Sequence, residues 1–171
     1  IIPHFNIPNL LIRCVKSIPL RDDVQIIVVD DGSPDAAEYL DCYPELSAPN
    51  VEFIQMEHQG LAGVMRNVGL EHAQGKWIIF VDADDFLSDE ADLLMTENVN
   101  SQEDIVFFNV DSVMSDDISV KSSRNYDYQS LISEFGRICD DSIRYKWHPL
   151  WGKIYKREFI KINKIRCDAL P

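Results

Sequence analysis

Much of what this chain lacks bears on its function. No apolar run approaches the roughly 20 residues that a membrane-spanning helix requires. The four cysteines, Cys14, Cys42, Cys139 and Cys167, lie far apart without CxxC pairing. Spacing of that kind argues against a zinc site or a disulfide framework and fits reduced thiols. His4, His58, His72 and His148 show no metal-ligand spacing such as HExxH and read as surface or locally hydrogen-bonded groups, with His148 the one to watch. Basic residues are scarce: 16 Lys and Arg stand against 29 Asp and Glu, a formal net charge of −13. That balance argues against a nucleic-acid partner, whose phosphates need a basic face. It also means that an anionic substrate needs a metal ion or well-placed Lys and Arg. The opening Ile1-Ile2-Pro3 has neither a basic signal-peptide region nor an initiator Met. The expectation is a cytoplasmic protein whose native chain is longer, with room for peripheral contact with the inner face of a membrane.

What is present is a buried parallel sheet written in apolar runs. The 171 residues, 46% of them hydrophobic, fit one domain with a substantial core. Trp77-Ile78-Ile79-Phe80-Val81 reads as a strand covered on both faces, and it drives straight into Asp82-Ala83-Asp84-Asp85. Ile1 to Pro3, Gln25 to Val29, Val51 to Gln55 and Ile105 to Val110 read as further strands. Helical stripes fall between them at Pro8–Ile18, Asp35–Tyr43, Gly60–Ala73 and Asp89–Val99, with Ser33 expected to cap the second. This βαβα order predicts a mostly parallel α/β sheet flanked by helices on both faces. After Asp111 the pattern weakens to a polar loop or antiparallel pair over 111–128, a helix over 129–139, and a short strand and helix within 153–162. Residues 1–110 therefore read as one α/β part, and 111–171 as a smaller antiparallel or irregular part.

Ligands of open α/β sheets bind beyond the carboxyl ends of the strands. Three such ends stand out: Pro3-His4-Phe5-Asn6, Asp30-Asp31-Gly32-Ser33 and Asp82-Ala83-Asp84-Asp85. Phe5 and Asn6 suit stacking and hydrogen bonding to a base. A carboxylate of the second end suits a base N–H or a ribose hydroxyl, although the same residues also make a tight turn and helix start. Asp82 and Asp84 alternate in an extended chain and leave the same face of it. Two hard oxygens there suit Mg²⁺ or Mn²⁺, with substrate phosphates completing the shell. Gly60-Leu61-Ala62-Gly63 opens a helix whose free N–H groups favour phosphate. Arg66 could serve that phosphate or pair with one of the many acids.

The blocks Ile1–Asn6, Ile27–Asp35, Gly60–Leu70 and Gly75–Asp85, in this order, together resemble the nucleotide-binding half of family 2 glycosyltransferases, which have the GT-A fold. Trp151-Gly152-Lys153-Ile154-Tyr155-Lys156-Arg157 resembles a later stretch of the same family more weakly. The resemblance implies transfer of a sugar from a nucleotide-diphospho-sugar, commonly UDP-linked, to a carbohydrate or lipid-linked acceptor, usually with inversion. It implies a base and ribose pocket lined by Pro3, Phe5 and Asn6, where Phe5 replaces the commoner Tyr. Asp31, with Asp30 beside it, would meet the uracil or ribose, and Arg66 the nucleotide. Asp82, Ala83 and Asp84 would form the DxD-type motif, with Asp84 the metal ligand and Asp82 nearer the ribose.

Inverting transfer needs a general base. The family resemblance places it in an acidic pair beyond Asp168, and no equivalent pair stands in this sequence. The expectation is a base beyond Pro171 and a chain that turns over poorly by itself. Trp147, His148, Trp151 and Lys153 are the acceptor-side candidates, although Trp147 and Trp151, four apart, equally suit a core helix face. Three rivals use related features. A haloacid-dehalogenase-like phosphotransferase normally carries its Asp-x-Asp at the start of the chain, and a receiver domain needs a Lys where Asn109-Val110-Asp111 stands. A non-catalytic nucleotide- or carbohydrate-binding module would keep the donor pocket without needing a base.

Overall fold

The computed structural model describes residues 1–114, 117–125 and 150–168. In chain order the elements are β1 (Ile2–His4), α1 (Pro8–Ser17), β2 (Ile26–Asp30), α2 (Ala36–Cys42), a 3₁₀ turn (Pro44–Ser47), β3 (Val51–Gln55), α3 (Ala62–His72), β4 (Trp77–Ile79), α4 (Ala91–Asn98), β5 (Ile105–Phe107), β6 (Lys153–Lys156) and α5 (Arg157–Ile162). The predicted helix over 129–139 lies outside the described residues. None of the described helices is long and apolar enough to cross a membrane.

β1, β2 and β3 form a parallel sheet in that order, with Ile2 opposite Val28 and Val28 opposite Phe53. All five residues of β2 are buried, as a continuous apolar run demands. β4, β6 and β5 form a second sheet, in which β4 and β6 run antiparallel. Ile1 joins the two: its amino group donates to the Ile79 carbonyl at 2.9 Å, and Val81 N–H donates to the Ile1 carbonyl at 3.1 Å. Those two bonds follow the parallel pattern, so the carboxyl ends of β2, β1 and β4 stand side by side.

α1 begins at Pro8, whose missing N–H and fixed φ suit a first helical position. It lays Leu11, Ile12, Cys14 and Val15 into a core shared with Ile2, Ile26, Val28, Tyr39 and Val81. Each such aliphatic contributes about 1.5–3 kcal/mol relative to exposure. An apolar cavity of about 340 Å³, lined by Ile2, Ile26, Trp77, Ile78, Met95 and others, lies toward the amino ends of β2 and β4. By contact the chain divides into two compact units, 1–106 with 154–171, and 107–153.

The strand ends are organised by a buried carboxylate. Asp30 and His4 are cross-strand partners in the β1–β2 register. His4 Nε2 accepts the Ile7 N–H at 3.1 Å, so its proton sits on Nδ1 and is donated to Asp30 Oδ1 at 2.7 Å. Ser33 adds its N–H to Oδ2 at 2.8 Å and its hydroxyl to Oδ1 at 2.6 Å. Ser33 Oγ in turn accepts the Asn6 N–H at 2.8 Å, which steadies Asn6 in a left-handed conformation, φ 51°. Ser33 thus does not cap α2 by its side chain. The helix starts at Ala36, and the hydroxyl that would have capped it serves Asp30 instead.

Burial alone would raise the Asp30 carboxyl, but the hydrogen bonds from His4 and Ser33 outweigh it and hold the group below its ordinary value of 3.8. A carboxyl depressed on folding contributes stability above its unfolded pKa and loses it as pH falls through the folded value. Asp30→Ala strips a fully buried hub of its acceptor and is expected to cost about 3–5 kcal/mol. Urea unfolding between pH 7 and pH 3 checks both points. The variant should show a lower midpoint at pH 7 and a flatter loss of stability on acidification.

Candidate functional site

The polar edge of the sheet is built by three turns. At β1, Pro3 is buried within the strand opposite Val29, whereas Phe5 emerges with 44% of its surface exposed. Phe5 stacks on His58, ring centroids 4.5 Å apart and 26° between planes. At β2, Asp31 is only 5% exposed yet accepts two backbone N–H groups, Gln59 to Oδ1 at 2.7 Å and Gly60 to Oδ2 at 2.8 Å. His58 Nδ1 lies 2.8 Å from the Asp31 carbonyl and 3.2 Å from Oδ2. Gly32 makes this clamp possible. Its φ is +73°, and a Cβ there would sit 2.7 Å from the His58 backbone nitrogen.

The glycine-rich helix start is accordingly not an open cradle. The Gln59 and Gly60 N–H groups point to the Asp31 carboxylate, and α3 begins only at Ala62. Gly63 is small because the 167–168 backbone passes over it: a Cβ there would meet the Asp168 carbonyl oxygen at 1.9 Å. Asn67 fixes that segment by a reciprocal pair with Cys167, donating to its carbonyl at 3.0 Å and accepting its N–H at 2.8 Å.

At β4, Arg66 reaches from α3 to Asp82 Oδ1 at 2.5 Å. Of the two roles open to Arg66 in the sequence, the ion pair is thus observed, but among the described residues its Nε is buried without a partner and remains a donor. Ala83 is buried in the core cluster, so its side chain faces away from the edge. Asp84 is exposed, and its carbonyl accepts Nη2 of Arg13 from α1. Asp85 is pushed up to about 6, chiefly by lost hydration and then by Asp84 and Asp82, with Arg13 opposing. Among the described residues no three His, Cys, Asp or Glu side chains form a closed metal site. Asp84 and Asp82 suit a Mg²⁺- or Mn²⁺-type ion only where phosphates and water supply the other oxygens.

Phe5, Asn6, Asp31, Arg66, Asp82 and Asp84 are thus gathered on one edge, while the Asp30 carboxylate is buried beneath it. Trp147 and His148 lie outside the described residues. Trp151 and Lys153 belong to the second compact unit. There Lys153 is buried over the Phe107 ring at 5.5 Å, and burial lowers its amine to about 8. Sequence reasoning missed His58, Gln59, Arg13 and Ser17.

Comparison with known proteins gives the family and the fold. The family model "Glycosyl transferase family 2" matches residues 1–166. A putative glycosyltransferase EpsH of Bacillus subtilis is 27% identical over 94% of this chain and 47% of its own length. A poly(ribitol-phosphate) beta-glucosyltransferase of Bacillus spizizenii is 28% identical over 96% of this chain and 26% of its own. The chain thus spans about half or less of these relatives. The crystal structure of Staphylococcus aureus TarS 1–349 superposes with a TM-score of 0.67 at 22% identity, covering 98% of this chain and 49% of that one, and TarS structures with UDP and UDP-GlcNAc match as well. A mannosyltransferase of Pyrobaculum calidifontis in complex with GDP-Man and Mn²⁺ gives 0.59 at 19% identity, covering 95% and 45% of the two chains. At such identities the structural likeness establishes the fold, the GT-A architecture that the family resemblance implied. With the family model spanning 166 of 171 residues, the chain belongs to glycosyl transferase family 2.

Proposed function

We propose that this chain is the donor-binding part of an inverting glycosyltransferase. It takes a nucleotide-diphospho-sugar, UDP-linked, together with Mn²⁺ or Mg²⁺. The sugar passes to a hydroxyl of a carbohydrate or lipid-linked acceptor in cell-surface polysaccharide synthesis, at the cytoplasmic side. The observation that carries this reading is the convergence on one sheet edge of an exposed aromatic, a half-buried Arg–Asp pair and an exposed carboxylate. The similarity to a poly(ribitol-phosphate) beta-glucosyltransferase, and to TarS in its UDP and UDP-GlcNAc complexes, supports the donor and acceptor classes.

Each residue then has a chemical part. The Phe5 ring offers a stacking surface for the base. Asp31, held still by the Gln59 and Gly60 N–H groups and with His58 beside Oδ2, keeps a further lone pair on Oδ1 for a base N–H or ribose hydroxyl. Arg66 keeps Asp82 oriented, and its unpartnered Nε–H is a donor for a ribose or phosphate oxygen. Asp84 would hold the cation, with Asp82 beside it. When bound, that ion neutralises charge on the departing diphosphate.

Calorimetric titration of UDP, GDP and dTDP, with and without Mn²⁺, tests the reading. One diphosphate should bind with a metal-dependent gain that Asp84→Ala abolishes. Failure of every diphosphate under every condition would overturn the donor site. Phe5→Ala should weaken the bound diphosphate by about 1–3 kcal/mol, the worth of one base–aromatic stack, with or without metal. An unchanged affinity in that variant would remove Phe5 from the base pocket.

A further inference from the structure

The acidic turn after β4 is held from the side by α1. Arg13 Nη2 donates to the Asp84 carbonyl, and its guanidinium lies 5.1 Å over the Phe86 ring. One helical turn later, Ser17 Oγ accepts the Leu87 N–H at 2.9 Å. Residues four apart share a helix face, so a single face of α1 grips both the start and the end of the segment 84–87. The turn is closed from inside by the Asp85 N–H to Asp82 carbonyl bond, 2.9 Å. α1 is a firm platform, since Leu11, Ile12, Cys14 and Val15 root it in the core. Among the described residues Arg13 Nε is buried with no hydrogen-bond partner, a costly state for a donor in a merely space-filling side chain.

Three carboxylates within four residues repel one another, and such a turn opens unless something outside it fixes its backbone. We propose that Arg13 is a positioning residue of this turn. By holding the Asp84 carbonyl, and with Ser17 anchoring Leu87, it sets the direction in which the Asp84 carboxylate is presented to a diphosphate-bound divalent cation. This rests on the reading of Asp84 as the metal-binding side chain. A simple charge effect predicts the opposite sign, because a guanidinium beside a cation site repels the cation. Positioning and repulsion therefore separate cleanly.

The test uses the whole chain as wild type, Arg13→Met, Arg13→Lys and Ser17→Ala. Mn²⁺ uptake with saturating UDP is followed by the loss of the free-Mn²⁺ electron paramagnetic resonance signal. Amide hydrogen exchange at Asp85 and Leu87 is followed without metal. Arg13→Met should weaken Mn²⁺ uptake about 10-fold or more, as loss of a group that orients a metal ligand does. It should speed exchange at Asp85, yet leave metal-free UDP affinity within about twofold. Arg13→Lys should recover part of the uptake, and Ser17→Ala should shift both readouts in the same direction by less. Unchanged or tighter Mn²⁺ binding in Arg13→Met, with wild type binding normally, overturns the inference and leaves the donor site standing. A wild type that takes up no Mn²⁺ with UDP removes the Asp84 reading and this inference with it. Should Arg13→Met fail to fold, Arg13→Lys and Ser17→Ala carry the same comparison.

Discussion

A carboxylate with no access to water is costly unless every oxygen is answered, and Asp30 is answered by His4 and Ser33. Two separate pieces of chain meet through it. His4 belongs to β1, Ser33 to the turn after β2, and Asn6 is drawn in because Ser33 Oγ accepts its N–H. The Asp30 carbonyl extends the same order to the next segment by accepting the Met56 N–H at 2.9 Å. The conformation of two strand ends is thus set from below, by a group that no ligand can reach. Phe5 and Asp31 need no contact of their own to be placed; they are carried on backbone that Asp30 has already fixed.

Electrostatics divides the edge into a satisfied half and an unsatisfied half. Around β1 and β2 the negative groups are answered by backbone N–H groups, the Ser33 hydroxyl and imidazole rings. Around β4 the acids crowd together, and Arg66 and Arg13 arrive from two different helices to meet them. In a chain of net charge −13, two arginines directed to one turn are a considerable concentration of positive charge. They leave Asp84 exposed, so the region least neutralised by the protein is also the one most open to solvent.

The sequence made the framework legible because buried parallel strands have a blunt signature. Val51–Gln55 has the expected boundaries, and β2 differs by a single residue at each end. α3 lies inside the expected helix but starts two residues later, because Asp31 takes the Gln59 and Gly60 N–H groups. The acids of the edge were visible as acids, but their division of labour was not. Asp30 and Asp31 are adjacent and chemically identical. Only the β1–β2 register, which sets His4 opposite Asp30, turns one into a buried hub and leaves the other at the rim. Arg13 and Asp84 are 71 residues apart, and helix periodicity gives no notice of such a meeting. His58 was read as locally hydrogen-bonded, and the feature that matters, its stack on Phe5, joins residues 53 positions apart.

That stack also governs how anything flat can arrive. With centroids at 4.5 Å the two rings are already in contact, and no third ring can slide between them. A planar ligand either takes the free face of Phe5 or swings the imidazole aside. Swinging it aside breaks the His58 contacts to Asp31, and Asp31 is the same residue that holds the Gln59–Gly60 backbone. Docking against Phe5 on that side is therefore a substitution rather than a simple addition. Its rate is limited by how often His58 lets go, while occupancy of the opposite face proceeds at the rate of encounter.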